Sequence, residues 1–415
     1  MNFLVTPSGE LELNSLTDEL DIQVAGQFVD QLMDLGVLLL AEGPLLANCP
    51  LFCVYKALQP GEKRCIADCK RGGQNHCMAQ DPVFLIQSDD VLPQLYPKGY
   101  TAIADASKHF HNFPTKKEER QYLGCIHPVT GVFLVYAGLP MGGGNSPAIA
   151  CRLSNSAIRQ LRSTSKAFAG KVVENTWRRS LEGQKYHPEW GHGRVRIGED
   201  GIPACLIWGM VDDFKVHGAT KRKCDEGFSA FMDLTVRLGF ICQKTKTCPP
   251  DQKQKLCGLI YNTEAVPRII LPECKVSRAL ATLEYVIRQN SRGQLSRLSV
   301  AVMGGLLQSL VDATPARQGQ TYLRRLYDEI HNVPGVLGKA LYYTEISLSM
   351  SVLEDLEWWI SFLTENPGNE SRCGKAGKLA VTFGDGSERV PVEPLNGFAI
   401  KGSNSKLGWV LGPLR

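Results

Sequence analysis

No apolar run in this 415-residue chain approaches the roughly 18 to 20 residues that a membrane-spanning helix requires, which excludes a helical transmembrane segment. The opening residues Met1-Asn2-Phe3-Leu4-Val5-Thr6 lack the basic stretch and long apolar core of a secretion signal. Charge imbalance is small: 46 Lys and Arg against 42 Asp and Glu leave a net +4, which permits a nucleic-acid partner without arguing for one. There is no internal repeat and no low-complexity tract. At 43% hydrophobic and 21% charged, the composition is that of a folded globular protein rather than a disordered one. Zinc-ribbon spacing is missing as well, since Cys49, Cys53, Cys65, Cys69, His76 and Cys77 crowd one region in C-x3-C rather than C-x2-C steps. The 14 cysteines are therefore read as reduced thiols, small buried hydrophobes of an intracellular protein, cytoplasmic or nuclear. The length suits two to three domains.

What the chain does contain is a series of short apolar runs that end in acids or lead into glycines. Thr17, read as an N-cap, opens an amphipathic helix whose apolar positions Leu20, Val24, Phe28, Val29, Leu32, Met33 and Leu35 run in steps of three and four up to Gly36. Leu51 to Lys56 and Cys65 to Arg71 read as two strands joined through Gly61-Glu62-Lys63-Arg64, a hairpin that concentrates Lys56, Lys63, Arg64, Lys70 and Arg71. Such charge is either a solvated face or a grip on a triphosphate or a nucleic-acid backbone. Thr101-Ala102-Ile103-Ala104 delivers Asp105 at a strand end, with Phe110 five residues beyond. Leu134 to Ala137 leads into Gly138-Leu139-Pro140-Met141-Gly142-Gly143-Gly144-Asn145-Ser146-Pro147, a glycine-rich loop ahead of a helix from Ala148 to about Leu161.

The stretch Met210-Val211-Asp212-Asp213-Phe214 lies between Ala204-Cys205-Leu206-Ile207-Trp208 and a second apolar run through Val216, a β-hairpin with two carboxylates at its tip. Adjacent acids on an extended strand point to opposite faces, but at a tight turn they can converge on one cation. By themselves they describe a solvated turn more readily than a cation site. Phe228, Phe231, Met232 and Leu238 follow helical spacing, Gly239 stops that helix, and Phe240-Ile241-Cys242 begins a strand ahead of Lys244 and Lys246. Helical patterns from Cys274 to about Asn290 and from Gln294 to about Val311 carry or flank Lys275, Arg278, Arg288, Arg292 and Arg297. A helix around Leu353 to Leu363 carries Trp358-Trp359 as a core or docking pair; Asn366 to Ser371 reads as a linker and Leu379 to Phe383 as a strand leading into Gly384 and Asp385.

Three acids, Asp105, Asp212 and Asp213, thus stand at strand ends, and a rigid platform of few carboxylates is what phosphoryl transfer to a hydroxyl needs to hold two divalent ions about 3.5 to 4 Å apart. From about residue 17 to 365 the sequence resembles a reverse transcriptase. Asp105 with Phe110 is similar to the first palm motif; Leu139-Pro140-Met141-Gly142 with Ser146-Pro147 to the second; Met210-Val211-Asp212-Asp213 to the Tyr-x-Asp-Asp hairpin; Leu238-Gly239-Phe240 with Lys246 to the fourth motif. Leu256-Cys257-Gly258 resembles the turn at the palm-to-thumb grip, and Lys63-Arg64 through Asp68 the basic fingers hairpin. Arg64-Cys65-Ile66-Ala67-Asp68 and the Trp-Trp helix give it the flavour of retrotransposon enzymes, the DIRS type in particular.

The resemblance implies an α+β right-hand polymerase: N-terminal helix and fingers over 1–100, a palm with antiparallel sheet over 101–270, a helical thumb over 271–335, a connection over 336–375, and a truncated ribonuclease H-like start over 376–415. It implies an RNA-directed DNA polymerase using two Mg²⁺ or Mn²⁺ ions, with deoxynucleoside triphosphates and an RNA or DNA template with primer as partners. Asp105, Asp212 and Asp213 would be metal ligands, Asp213 partly dispensable; Arg64 and Lys63 would bind the triphosphate, Phe110 would exclude a 2′-hydroxyl, Gly142 would let the backbone approach the nucleotide, Met141 would flank the templating pair, and Lys246 would protonate pyrophosphate. Asp385 resembles the first metal-binding acid of a ribonuclease H, but the later acids are absent before Arg415, so no ribonuclease H activity is expected. Met210 and Met141 depart from the family's usual Tyr and Gln or Phe, and Ala106 and Ser107 from its usual Leu and polar residue. The alternative is a catalytically inactive retroelement remnant that still binds nucleic acid.

Overall fold

The computed structural model describes residues 11–55, 61–78, 81, 83, 91–173, 195–256, 258–265, 267–331, 344–365, 368–370, 379–384 and 408–413. The first helix, Glu19–Asp34, begins one residue later than expected: Asp18 is the cap, its carboxylate accepting from the Asp21 N–H at 2.7 Å. Thr17 instead donates its N–H and hydroxyl to the Asp21 carboxylate. The helix buries Ala25, Val29 and Leu32 against an antiparallel hairpin, Leu51–Tyr55 with Lys63–Ala67, and a three-stranded sheet of Leu38–Leu40, Phe133–Tyr136 and Gly124–Ile126. We call the first of these the basic hairpin. Cys49, Cys65, Cys69 and Cys125 all lie in that core, and no group of three or more His, Cys, Asp or Glu able to hold a metal is found among the described residues.

The central sheet runs Cys248–Asp251, Tyr100–Asp105, Asp213–Gly218, Leu206–Met210, antiparallel throughout. Its strands read as apolar runs because both faces are covered. Ala104, Ile207, Phe214 and Val216 face the helices Ser146–Thr164 and Lys221–Arg237 through Ile158, Leu161, Phe231 and Leu234. Ile103 and Trp208 face the opposite way into a larger core with Leu259, Tyr261 and Ile269. Lys215, 3% exposed, lies over the Tyr261 ring at 3.4 Å from its centroid, a cation–π contact that helps to compensate a buried charge. Gly239 (φ +74°) ends the second helix as expected. No strand forms at Phe240, however: only a bridge between Ala106 and Cys242 precedes a 3₁₀ turn over Lys244–Lys246.

The C-terminal part has a second four-stranded sheet, Lys253–Leu256, Leu259–Asn262, Arg268–Ile270 and Gly368–Glu370. That last strand replaces the linker read at Asn366 to Ser371, because its backbone completes the ladder with Arg268–Ile270. Helices Glu273–Ser291, Arg297–Gln308, Thr321–His331 and Met350–Glu365 share one core through Leu283, Val300, Met303, Leu326, Leu356 and Trp359. Trp359 is a core residue, whereas Trp358 stacks on Tyr322 at 4.1 Å. Leu379–Gly384 pairs with Gly408–Pro413, setting Phe383 opposite Trp409; Lys56, Cys257 and Asp385 lie outside the described residues. No helix among the described residues is long and apolar enough to cross a membrane.

Candidate active site

The backbone register decides which acids meet. Asp213 opens its strand directly opposite both Asp105 and Met210, so the Asp105 and Asp213 side chains emerge on the same face of the sheet at its end. Asp212 lies in the two-residue turn of this acidic hairpin, and its carbonyl accepts from the Ala106 N–H at 2.8 Å, which ties the turn to the end of the neighbouring strand. Val211, the other turn residue, has φ +58°. That is a left-handed conformation at the first turn position, rare for a β-branched side chain and costing roughly 1–3 kcal/mol.

The carboxylates are crowded. Burial, then the charges of Asp212 and Asp105, push Asp213 up to about 6, while the Lys246 ammonium opposes the shift. Burial and Asp105 also raise Asp212, against its own backbone N–H, Lys246 and Arg64. Lys246 reaches back from its 3₁₀ turn to Asp105 Oδ2 at 2.9 Å, and the Gln243 N–H donates to the Asp105 carbonyl at 2.8 Å. Two raised acids beside a third, with the Lys246 ammonium opposing the shift, make a crowded cluster of hard oxygens, although as placed these acids do not form a three-residue group able to hold a metal among the described residues. The structure therefore brings Asp105, Asp212, Asp213 and Lys246 to one end of the sheet, with Arg64 within electrostatic reach.

The other expected residues divide. Alternation along Lys63–Ala67 separates neighbours that sequence treats alike. Arg64 is exposed, whereas Lys63 turns inward and is held by Asp21 Oδ1 at 2.7 Å and Asp18 Oδ2 at 2.9 Å, its side chain 5% exposed. Lys63 thus anchors the hairpin to the first helix, and its ammonium is not presented to a triphosphate. Gly142 (φ +119°) makes a close backbone approach within the chain itself. A Cβ there would run into the Ala67 carbonyl oxygen, so its lack of side chain lets the glycine-rich loop close on the basic hairpin. Ala67 N–H donates to the Met141 carbonyl at 3.2 Å and Asn75 Nδ2 to the Gly142 carbonyl at 3.0 Å, sealing that contact. Phe110 packs, partly buried, on Phe113, Leu139 and Ala150. Sequence reasoning passed over Asp18 and Asp21, which carry no motif, and the left-handed Val211 backbone, which a β-branched residue does not signal.

No protein-family model matches the chain, and no curated protein matches it by sequence. Its structure is similar to the foamy viral protease-reverse transcriptase in complex with dsDNA, at a TM-score of 0.60 and 17% identity over 92% of this chain and 64% of that one. A dRH form of that protein with ds DNA gives 0.59 and 18% over 92% and 54%, and the complex with an RNA/DNA hybrid gives 0.58 and 18% over 91% and 41%. The fold is thus reverse-transcriptase-like, a mixed α and β arrangement with antiparallel sheets, and the chain spans between 41% and 64% of those proteins' lengths.

Proposed function

We propose that the chain is an RNA-directed DNA polymerase of a retroelement, extending a primer 3′-hydroxyl with deoxynucleoside triphosphates. The observation that carries this reading is the meeting of Asp105, Asp212 and Asp213, two of them with raised pKa, at the end of an antiparallel sheet in a reverse-transcriptase-like fold. The three carboxylates would hold two Mg²⁺ or Mn²⁺ ions, which when bound supply activation of the attacking hydroxyl and neutralisation of the triphosphate charge. Arg64, exposed and on the face of its strand opposite Lys63, would contact the triphosphate. Lys246 donates to Asp105 and would supply a proton to the leaving pyrophosphate. Phe110 would lie against the incoming sugar, and Met141 and Gly142 keep the loop seated on the hairpin that carries Arg64.

The competing reading, an inactive remnant that binds nucleic acid, is disfavoured by the retention of all three acids with Lys246 among them. Primer extension on an RNA template with Mg²⁺ or Mn²⁺ decides between them. Binding of an RNA/DNA hybrid without extension in either metal would sink the enzyme reading. Binding should weaken steeply with salt in both cases, because phosphate contacts release counterions.

A further inference from the structure

Of two buried residues without a role in the scheme above, Ser154 bonds the backbone of the acidic turn and His109 bonds Ser154. Ser154, 2% exposed on the helix Ser146–Thr164, donates its hydroxyl to the Val211 carbonyl at 3.3 Å. A hydroxyl has one proton, so the 3.0 Å contact between Ser154 Oγ and His109 Nε2 makes the imidazole the donor. Burial pulls His109 down to about 4 and keeps it neutral, and its Nδ1 is buried without a partner, as the Nε2–H tautomer allows. Adding the Ala106 N–H on the Asp212 carbonyl, the peptide units on both sides of Asp212 are held from outside their own hairpin.

His109 sits among the rings of Phe113 (4.8 Å), Phe240 (5.6 Å), Phe214 (6.0 Å) and Phe110 (6.4 Å), where a phenyl group would pack without the cost of burying polar nitrogens. Its one polar contact among the described side chains is Ser154.

We infer that His109 and Ser154 are positioning residues for Asp212: the His109–Ser154–Val211 relay fixes the peptide plane ahead of Asp212 and holds the left-handed turn that aims its carboxylate. The effect on turnover rests on the polymerase reading; the effect on the turn does not. Ser154→Ala, Ser154→Thr and His109→Phe in the full chain separate the two, using primer extension together with hydrogen exchange over 206–218. Ser154→Ala should lower kcat about tenfold, the size of one lost hydrogen bond, while the KM for nucleotide and the hybrid affinity stay within about twofold. Ser154→Thr should restore most of it. His109→Phe should fall less, and the double variant no further than Ser154→Ala, since the two act through one contact. Amides of the acidic turn should exchange about tenfold faster in Ser154→Ala and faster in His109→Phe, with 51–67 unchanged. Unaltered turn exchange in both variants overturns the relay whatever the activity, and so does an active parent whose Ser154→Ala variant keeps its kcat. A parent that never extends a primer, combined with faster turn exchange in the variants, removes the polymerase reading and leaves the relay standing. Should Ser154→Ala fail to fold, His109→Phe carries the same test.

Discussion

The basic hairpin and the acidic hairpin are both two-stranded and both rich in one sign of charge, yet they treat that charge in opposite ways. In the basic hairpin Lys63 is neutralised by Asp18 and Asp21, and just beyond it Arg71 pairs with Glu12. Hydrogen bonds from Lys63 and Thr17 hold Asp21 down to about 2. In the acidic hairpin the carboxylates repel one another in a partly buried setting, and Asp213 rises to about 6. Paired charge is architecture, whereas charge kept under mutual repulsion marks the place where a ligand would supply what is missing.

The strongest test of this contrast is Asp212→Asn, which should cut primer extension by roughly 10³-fold or more, several kcal/mol of transition-state stabilisation, while hybrid binding changes little. Equal loss of both would move Asp212 to the architectural side. Next, Gly142→Ala should unseat the glycine-rich loop from the basic hairpin, through both the Ala67 carbonyl and the positive φ. A destabilisation of roughly 1–3 kcal/mol in denaturant melts and a raised nucleotide KM are expected. Phe110→Ala should raise ribonucleotide incorporation, read from competition between the two sugars; unchanged selectivity removes Phe110 from that position.

Stability against pH should show the two hairpins with opposite signs. Asp213 has a folded pKa above its unfolded value of 3.8, so its contribution is present below about 4 and lost as pH rises through about 6. Asp213→Asn should therefore raise the metal-free Tm by a few degrees at pH 7 and above, an advantage that disappears below about pH 4 and narrows when Mg²⁺ is added. Asp21 has a depressed pKa, so its contribution is present above about 4 and lost as pH falls towards about 2. Lys63→Met should be the smallest of these changes in activity. It should lower the Tm at neutral pH and flatten the acid limb between about pH 4 and 2 seen by calorimetry; an unchanged acid limb would mean that the Lys63 pairing contributes nothing to the hairpin.

Much of this was legible in the residues. Apolar runs closed by acids located the strands bearing Asp105 and Asp213, and glycine with helical spacing located the helix stop at Gly239. Local chemistry sufficed there, because strand burial and helix termination are written within a few residues. It failed at Phe240, where the pattern suits a strand but the chain makes a bridge and a turn that carries Lys246 to Asp105, and at Gly368–Glu370, where loop-like residues join a distant strand edge. Neither partner is visible within a local window.

The sequence by itself determined the inventory: which acids stand at strand ends, which glycines permit close approach, and where positive charge gathers. Tertiary structure alone decided the use of each. Strand alternation and an acidic helix start turned Lys63 inward and left Arg64 outside. Register set Asp213 beside Asp105, and a helix remote in sequence supplied the Ser154 hydroxyl that holds the turn at Val211. The physical reason is common to all three, since pairing and hydrogen bonding act through space over a few ångströms, while these partners are separated by between 42 and 108 residues of chain.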